Sequence, residues 1–288
     1  MRERCFDIDG LRIAAREWGE PGGLPVLATH GWLDNCASFD ALAPRLEGCH
    51  LIALDLAGHG QSDHRPGSAP YNIWEDVAEV FGVADQLGWE RFNLLGHSRG
   101  AIINVLCAGT FPERVERLML IEGLWPEPAS IDDAPEQLAR SILGTRAQLA
   151  KPMTVYPDLE RAIRARAQGM FPLSWAAAKA LTERGVIALS EGYQWSSDPR
   201  LLAPSAVKLT VDHLRAFVGR IGAPIQLVLG EEGVPKLFPR FREALALFPA
   251  LDMTVLPGGH HLHLEAQAAE VAAHIHQFMQ QPLPGRVS

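Results

Sequence analysis

The stretch that most constrains this chain runs from Phe92 to Ala108. An apolar segment, Phe92-Asn93-Leu94-Leu95, leads into Gly96-His97-Ser98-Arg99-Gly100. Ala101, Ile102, Val105, Leu106 and Ala108 then recur at helical spacing. A buried strand that turns within five residues into a helix needs small residues where the two elements cross. It also forces the central serine into a strained conformation with its hydroxyl raised above the sheet edge. Gly-x-Ser-x-Gly is short, and a helix that begins with a capping serine satisfies it equally well. The rest of the chain decides between the two readings.

Short apolar segments and helical patterns alternate on either side of this turn. Residues 5–8 and 11–18 predict two strands joined at Asp9-Gly10, a strong hairpin signal. Residues 25–29 and 51–54 read as buried strands, 38–46 as a short helix limited by Pro44, and 74–87 as an amphipathic helix. A strand over 115–121 ends at Glu122-Gly123. After a long interval come a strand over 225–230, a helix over 238–248, a strand over 252–256 and a helix over 265–279. Alternation of this kind predicts an α/β fold, a mostly parallel central sheet with helices on both faces, in which ligands gather at the carboxyl ends of the strands. His30, Asp55, Ser98 and Glu122 each fall just past such an end.

The interval, residues 125–220, reads differently. Helical stretches over 134–149, 158–168, 174–188 and 206–218 are broken by prolines and glycines, with no convincing strand. The expectation is a core formed by 1–124 and 221–288, with an all-helical cap inserted between them.

Composition closes several doors. A formal charge of −8 and a pI of about 5.8 argue against a nucleic-acid binder, which would present a basic face. Four scattered cysteines without a CxxC pair suit a reduced, cytoplasmic protein. The first residues hold no apolar segment of the signal-peptide kind, and no apolar run reaches membrane-spanning length. The loop over 55–63 is glycine-rich but has neither a Walker lysine nor Gly-x-Gly-x-x-Gly, so it is not read as a phosphate cradle.

Chemistry then turns on Ser98. A serine hydroxyl needs a base, an acid to orient that base, and donors for a developing oxyanion. The base candidate is His260, in a Gly-Gly-His turn after the last strand, which puts the residues in the order serine, acid, histidine. His260, His261, His263, His274 and His276 could alternatively be read as a zinc cluster, but no HExxH-type carboxylate accompanies them, and no metal or other cofactor is expected.

For the acid, hydrolases of this layout commonly use a Gly-x-x-Asp pattern after the next-to-last strand. Here that stretch reads Gly230-Glu231-Glu232-Gly233, with glycine at the acid's place. Glu122, one strand along, is favoured, and Glu232 or Glu231 are the alternatives. The oxyanion donors expected are the backbone N–H groups of Trp32 and Arg99. His30, Trp125, Trp175, Trp195 and His261, together with Met170 and Phe171, are candidate pocket residues. The Arg99 side chain could meet an anionic substrate group or solvent.

These residues resemble the α/β-hydrolase fold along nearly the whole chain: His30-Gly31, Asp55 with Gly58-His59-Gly60-Gln61-Ser62, the turn at Ser98, and Gly259-His260. A closer resemblance is to the serine hydrolase-like protein family. His30-Gly31-Trp32-Leu33-Asp34-Asn35, Ser38-Phe39-Asp40, Arg184-Gly185 and Asp198-Pro199-Arg200-Leu201 carry it. The placement of Glu122 resembles a subgroup of haloalkane dehalogenases, but those use an aspartate nucleophile where this chain has Ser98. The resemblance implies a serine hydrolase and supplies no substrate. The expectation is a carboxylesterase for a small or medium acyl ester. C–C bond hydrolysis on the same residues, or a non-enzymatic ligand sensor, stand as rivals. The sequence gives no oligomeric state.

Overall fold

The computed structural model describes residues 1–283 except 69, 239, 240 and 249. Among these residues the strands are β1 (Arg2–Ile8), β2 (Leu11–Trp18), β3 (Leu24–Thr29), β4 (Cys49–Leu54), β5 (Phe92–His97), β6 (Val115–Ile121), β7 (Val155–Tyr156), β8 (Val186–Leu189), β9 (Gly192–Trp195), β10 (Ile225–Gly230) and β11 (Leu251–Leu256). The helices are α1 (Glu75–Gln86), α2 (Arg99–Thr110), α3 (Ala134–Ala150), α4 (Leu159–Ala167), α5 (Trp175–Gly185), α6 (Val211–Val218), α7 (Val234–Leu237), α8 (Phe241–Leu245) and α9 (Ala268–Met279).

Eight strands form one sheet in the order β1-β2-β4-β3-β5-β6-β10-β11. The first three pair antiparallel, through a hairpin in which Asp9 and Gly10 both take positive φ, as a two-residue type I′ turn requires. From β4 to β11 every pairing is parallel. The central strands are buried along their whole length because both faces are covered. Alternate residues serve opposite layers. Leu27, Leu94, Leu118, Leu120 and Leu227 pack under α1, α2 and α6, while Val26, Leu95, Met119, Ile121 and Val228 pack under Phe39 and the apolar face of α9.

The segment between β6 and β10 departs from expectation in two ways. It is not all-helical: β7, β9 and β8 form a small antiparallel sheet. β7 is two residues long, and Val186–Leu189 continues α5 through an alanine-containing stretch, so periodicity alone runs the helix on. The second departure is α6, which belongs to the core layer. Leu214 is fully buried in the main apolar cluster, and Gly109 of α2 approaches the Phe217 backbone so closely that a Cβ would lie 2.6 Å from its carbonyl oxygen.

Two smaller differences complete the comparison. Residues 38–46 form two 3-10 turns rather than a helix. The helix expected over 238–248 is the shorter α8, following the separate short α7, with 239, 240 and 249 outside the described residues.

Buried polar ties hold the insertion to the core. Arg184 at the end of α5 reaches both carboxylate oxygens of Asp55, at 3.0 and 2.9 Å, and both groups are almost wholly buried. Asp198 accepts from the Tyr71 hydroxyl at 2.9 Å and from Arg200, and its amide donates to the Gly58 carbonyl. The Asp-Pro-Arg and Arg-Gly pairs of the sequence are therefore structural clasps. Asp55, placed at a strand end like the candidate site residues, is consumed by Arg184 and by the amides of Cys36 and Gln61.

Candidate active site

β5 ends at His97, and Ser98 takes φ 52°, ψ −116° before α2 begins at Arg99. A side chain at positive φ is strained, and such strain persists only where surroundings impose it. Here the Ser98 amide donates to the Ile121 carbonyl at 2.9 Å, and Gly100 lies against β3, where a Cβ would stand 2.1 Å from the Thr29 carbonyl oxygen.

Past the end of β6, Glu122 also has positive φ, 52°. Its carboxylate turns toward the end of β10, where the Gly230 and Val234 amides donate to it at 2.6 and 2.7 Å. Gly233 faces this carboxylate. A Cβ on that residue would lie 2.1 Å from the Glu122 carboxylate, so the glycine leaves room for that side chain to arrive from the neighbouring strand. Glu232 instead pairs with Lys236 at the surface, and Glu231 is likewise exposed.

His260 joins these two positions. One ring nitrogen, Nδ1, lies 3.0 Å from Glu122 Oε2 and the other, Nε2, 2.9 Å from Ser98 Oγ. A carboxylate only accepts, so Nδ1 carries the proton and Nε2 is left to accept from the Ser98 hydroxyl. Burial pushes the His260 pKa below its ordinary value; Glu122 opposes that shift and His261 adds to it. At neutral pH the ring is therefore uncharged and able to take a proton. Among the described residues, the Trp32 and Arg99 amides have no main-chain acceptor, so both remain available to a ligand oxygen.

A cavity of about 340 Å³ opens over Ser98, walled by Trp32 on the core side and by Met153, Met170, Phe171 and Trp195 from the insertion. Phe171 stacks on the His260 ring with centroids 4.0 Å apart. Trp195 and His261 lie in this wall as expected, whereas three other candidates do not. His30 is wholly buried: its Nδ1 donates to the Gly31 carbonyl at 2.7 Å and its Nε2 accepts from the Leu56 amide at 3.0 Å, so it shapes the loop and faces no substrate. Trp125 is buried edge-on against Phe248 in the main core. Trp175 opens α5 and is 47% exposed outside the cavity. The Arg99 side chain, partly exposed, donates to the buried Asp76 at 2.6 Å.

Sequence reasoning missed the polar wall beside His260. Asp34 accepts from Arg166 of α4 at 2.5 Å and from His261 Nε2 at 3.0 Å. Burial alone would raise the Asp34 pKa, but His261 and Arg166 hold it well below the usual carboxylate range. His97 donates from Nε2 to the His260 carbonyl at 2.8 Å and so fixes the turn that carries the His260 ring. Burial, reinforced by His263 and His261, pushes its pKa far down. Asp34, His97 and His261 gather their ligand atoms within 4.8 Å. Arg166 already neutralises Asp34, and His261 already spends a proton on it, so these residues are read as a hydrogen-bonded wall. His263 bonds Ser38 away from the cavity. The one sequence clue to this wall was the run His30 to Asn35; nothing in the spacing of Arg166 pointed to Asp34.

Comparison with known proteins agrees with this architecture. Over 98% of the chain and 100% of its counterpart, the fold matches the crystal structure of a hypothetical protein from Pseudomonas aeruginosa PAO1, with a TM-score of 0.93 and 44% identity. The thioesterase domain from the curacin biosynthetic pathway matches over 96% of the chain and 99% of that domain, with a TM-score of 0.84 and 26% identity. Serine hydrolase-like protein 2 of Homo sapiens is 29% identical over 289 residues, covering 93% of this chain and 90% of that protein. The family model described as alpha/beta hydrolase fold matches residues 25–267, from β3 through the histidine turn, and the chain belongs to that family.

Proposed function

We propose that this hydrolase is a serine carboxylesterase working through Ser98, His260 and Glu122. The observation that carries the reading is the hydrogen-bonded row from Glu122 through His260 to Ser98, at 3.0 and 2.9 Å, lying at the floor of an apolar cavity. Ser98 Oγ attacks the ester carbonyl while His260 Nε2 takes the hydroxyl proton. Glu122 stabilises the imidazolium, and the N–H groups of Trp32 and Arg99 hold the oxyanion. The imidazolium then protonates the leaving alcohol. Water, deprotonated by the same ring, frees the acid from Ser98. No step calls for a cofactor. Small to medium acyl groups suit a cavity of about 340 Å³, which lies near the lower end of ligand-site volumes.

The test is a panel of p-nitrophenyl esters of graded acyl length, with an acyl thioester and a vinylogous C–C substrate included, together with fluorophosphonate labelling of folded protein. The reading expects ester turnover, labelling of wild type, and loss of both in Ser98→Ala. Because residues of such a unit act together, the rate loss should reach several orders of magnitude. Wild-type ester turnover by Ser98→Ala would overturn the mechanism, and failure of Ser98 to label would favour a ligand sensor.

A further inference from the structure

The oxyanion donor expected from Trp32 sits on a peptide that is gripped from behind. In a trans peptide the carbonyl and the N–H point in opposite directions, so fixing one aims the other. The Gly31 carbonyl accepts from His30 Nδ1 at 2.7 Å and from the Asp34 amide at 3.1 Å. Those two bonds set the direction of the Trp32 N–H. The turn they close is strained: Leu33 holds φ 60°, which a residue with a Cβ keeps only where its surroundings impose it.

Much of that constraint comes from the insertion. Three side chains of this loop each reach a different element of it. Trp32 Nε1 donates to the Leu201 carbonyl, in the 3-10 turn Pro199–Leu202, at 2.9 Å. Asn35 Nδ2 donates to the Leu181 carbonyl of α5 at 2.8 Å. Asp34 accepts from Arg166 of α4 at 2.5 Å. Of the three, Asp34 bears most directly on the donor, because its own amide is one of the two groups that hold the Gly31 carbonyl. Its carboxylate also folds back under the loop, where a Cβ on Gly31 would lie 3.2 Å from Asp34 Oδ2. Arg166 takes Oδ1 and His261 takes Oδ2, so the buried side chain is fixed at both oxygens.

Arg166 also lines the cavity, where a cation could anchor a substrate. Its charge is already matched, however. A substrate that drew the guanidinium away would leave Asp34 buried without its cation, an unfavourable exchange. The Arg184–Asp55 clasp offers a contrast, since no expected donor lies on the peptides it holds.

We propose that Arg166 is a positioning residue for the oxyanion hole: acting through Asp34, it holds the Gly31–Trp32 peptide so that the Trp32 N–H meets the developing charge. The insertion thus contributes to rate through a residue that acts on the core loop and not on the reacting atoms. This role presupposes the Ser98 chemistry proposed above.

The test compares Arg166→Met, and Asp34→Asn with Arg166→Met in one chain, against wild type on a p-nitrophenyl ester and its thionoester. The double variant leaves no buried charge unpaired, so it keeps the test open if Arg166→Met alone is unstable by denaturant melt. Sulfur accepts hydrogen bonds more weakly than oxygen, so aligned N–H donors favour the oxygen ester. Both variants should lower kcat on that ester by about 10- to 100-fold, less than the roughly 10²–10³ lost with a donor removed outright, and leave KM within about twofold. The oxygen-to-thiono ratio of kcat/KM should fall by about tenfold. A raised KM at unchanged kcat would make Arg166 a substrate anchor and overturn the proposal. So would equal losses on the two esters, or wild-type kinetics in the double variant. Ser98→Ala, run beside them, tells the two failures apart: wild-type turnover there would sink the esterase reading itself, whereas an inactive Ser98→Ala beside unaffected Arg166 variants would sink only the role of Arg166.

Discussion

The sheet edge around Ser98 and helix α3 of the insertion use their polar groups differently. At the carboxyl edge of the sheet the row through Ser98 is hydrogen-bonded from end to end: Glu122 accepts two amides and an imidazole, His30 uses both nitrogens on loops, and His97 pins the turn of His260 through Nε2, while its Nδ1 is buried without a hydrogen-bond partner among the described residues. In α3 of the insertion, two hydroxyls are buried unpaired while leucines face outward. The edge holds Ser98, His260 and Glu122 in one fixed row, whereas the insertion supplies walls and outer surfaces. Substitutions at the edge should therefore change rate, and substitutions in the insertion, Arg166 apart, should change selection.

The largest effect expected after Ser98→Ala belongs to the acid. Glu122→Gln should lower kcat by about 10³ to 10⁴ through loss of imidazolium stabilisation and of the correct tautomer. Glu232→Gln should stay within about twofold of wild type, because its partner is Lys236 at the surface. Steady-state kinetics on the best ester of the panel checks both. A large loss only in the second would move the acid to the end of β10.

Next in size is the clasp between the two regions. Arg184→Leu leaves Asp55 buried without its cation, which should cost about 3–5 kcal/mol of stability. Denaturant melts read this loss, and a change below about 1 kcal/mol would show that the clasp is dispensable.

Smaller still is the insertion's grip on the base. Phe171→Ala should raise KM by about tenfold, the cost of roughly 1.4 kcal/mol of lost apolar contact. It should also move the acid limb of kcat/KM upward, since removing the stacked ring exposes His260. In wild type that limb should lie below pH 6.5. The neutral ring is the active form, its pKa is lowered chiefly by burial, and activity is therefore present above the folded pKa and lost as pH falls through it. A limb above pH 6.5 would contradict the assignment of His260 as the titrating group.

How far the sequence revealed this molecule follows the same division. The parallel sheet was legible because buried strands between helices leave continuous apolar runs, and the turn at Ser98 was legible because glycines must flank it. The position of Glu122 beside His260 was expected from an absence, the glycine at 233 where an acid is usual, although the carboxylate filling that space needed coordinates. Within the insertion, two- and four-residue strands carry too little alternation to be seen, and α6 looked like its neighbours although it packs on α2. Pocket residues could not be ranked by type. Trp125 and Trp195 are chemically alike, yet one is core and the other lines the cavity. The wall of Asp34, His261 and Arg166 joins residues 34, 166 and 261, too far apart in the chain for any local pattern to report.

The most direct test of the central claim is a rapid-quench experiment with a p-nitrophenyl ester of medium acyl length, read by intact-protein and peptide mass spectrometry. The account predicts a burst of one equivalent of p-nitrophenol. The protein should gain one acyl group in place of one hydrogen, located on Ser98, and Ser98→Ala should show neither. Turnover without a Ser98 adduct, or an adduct on another residue, would contradict it.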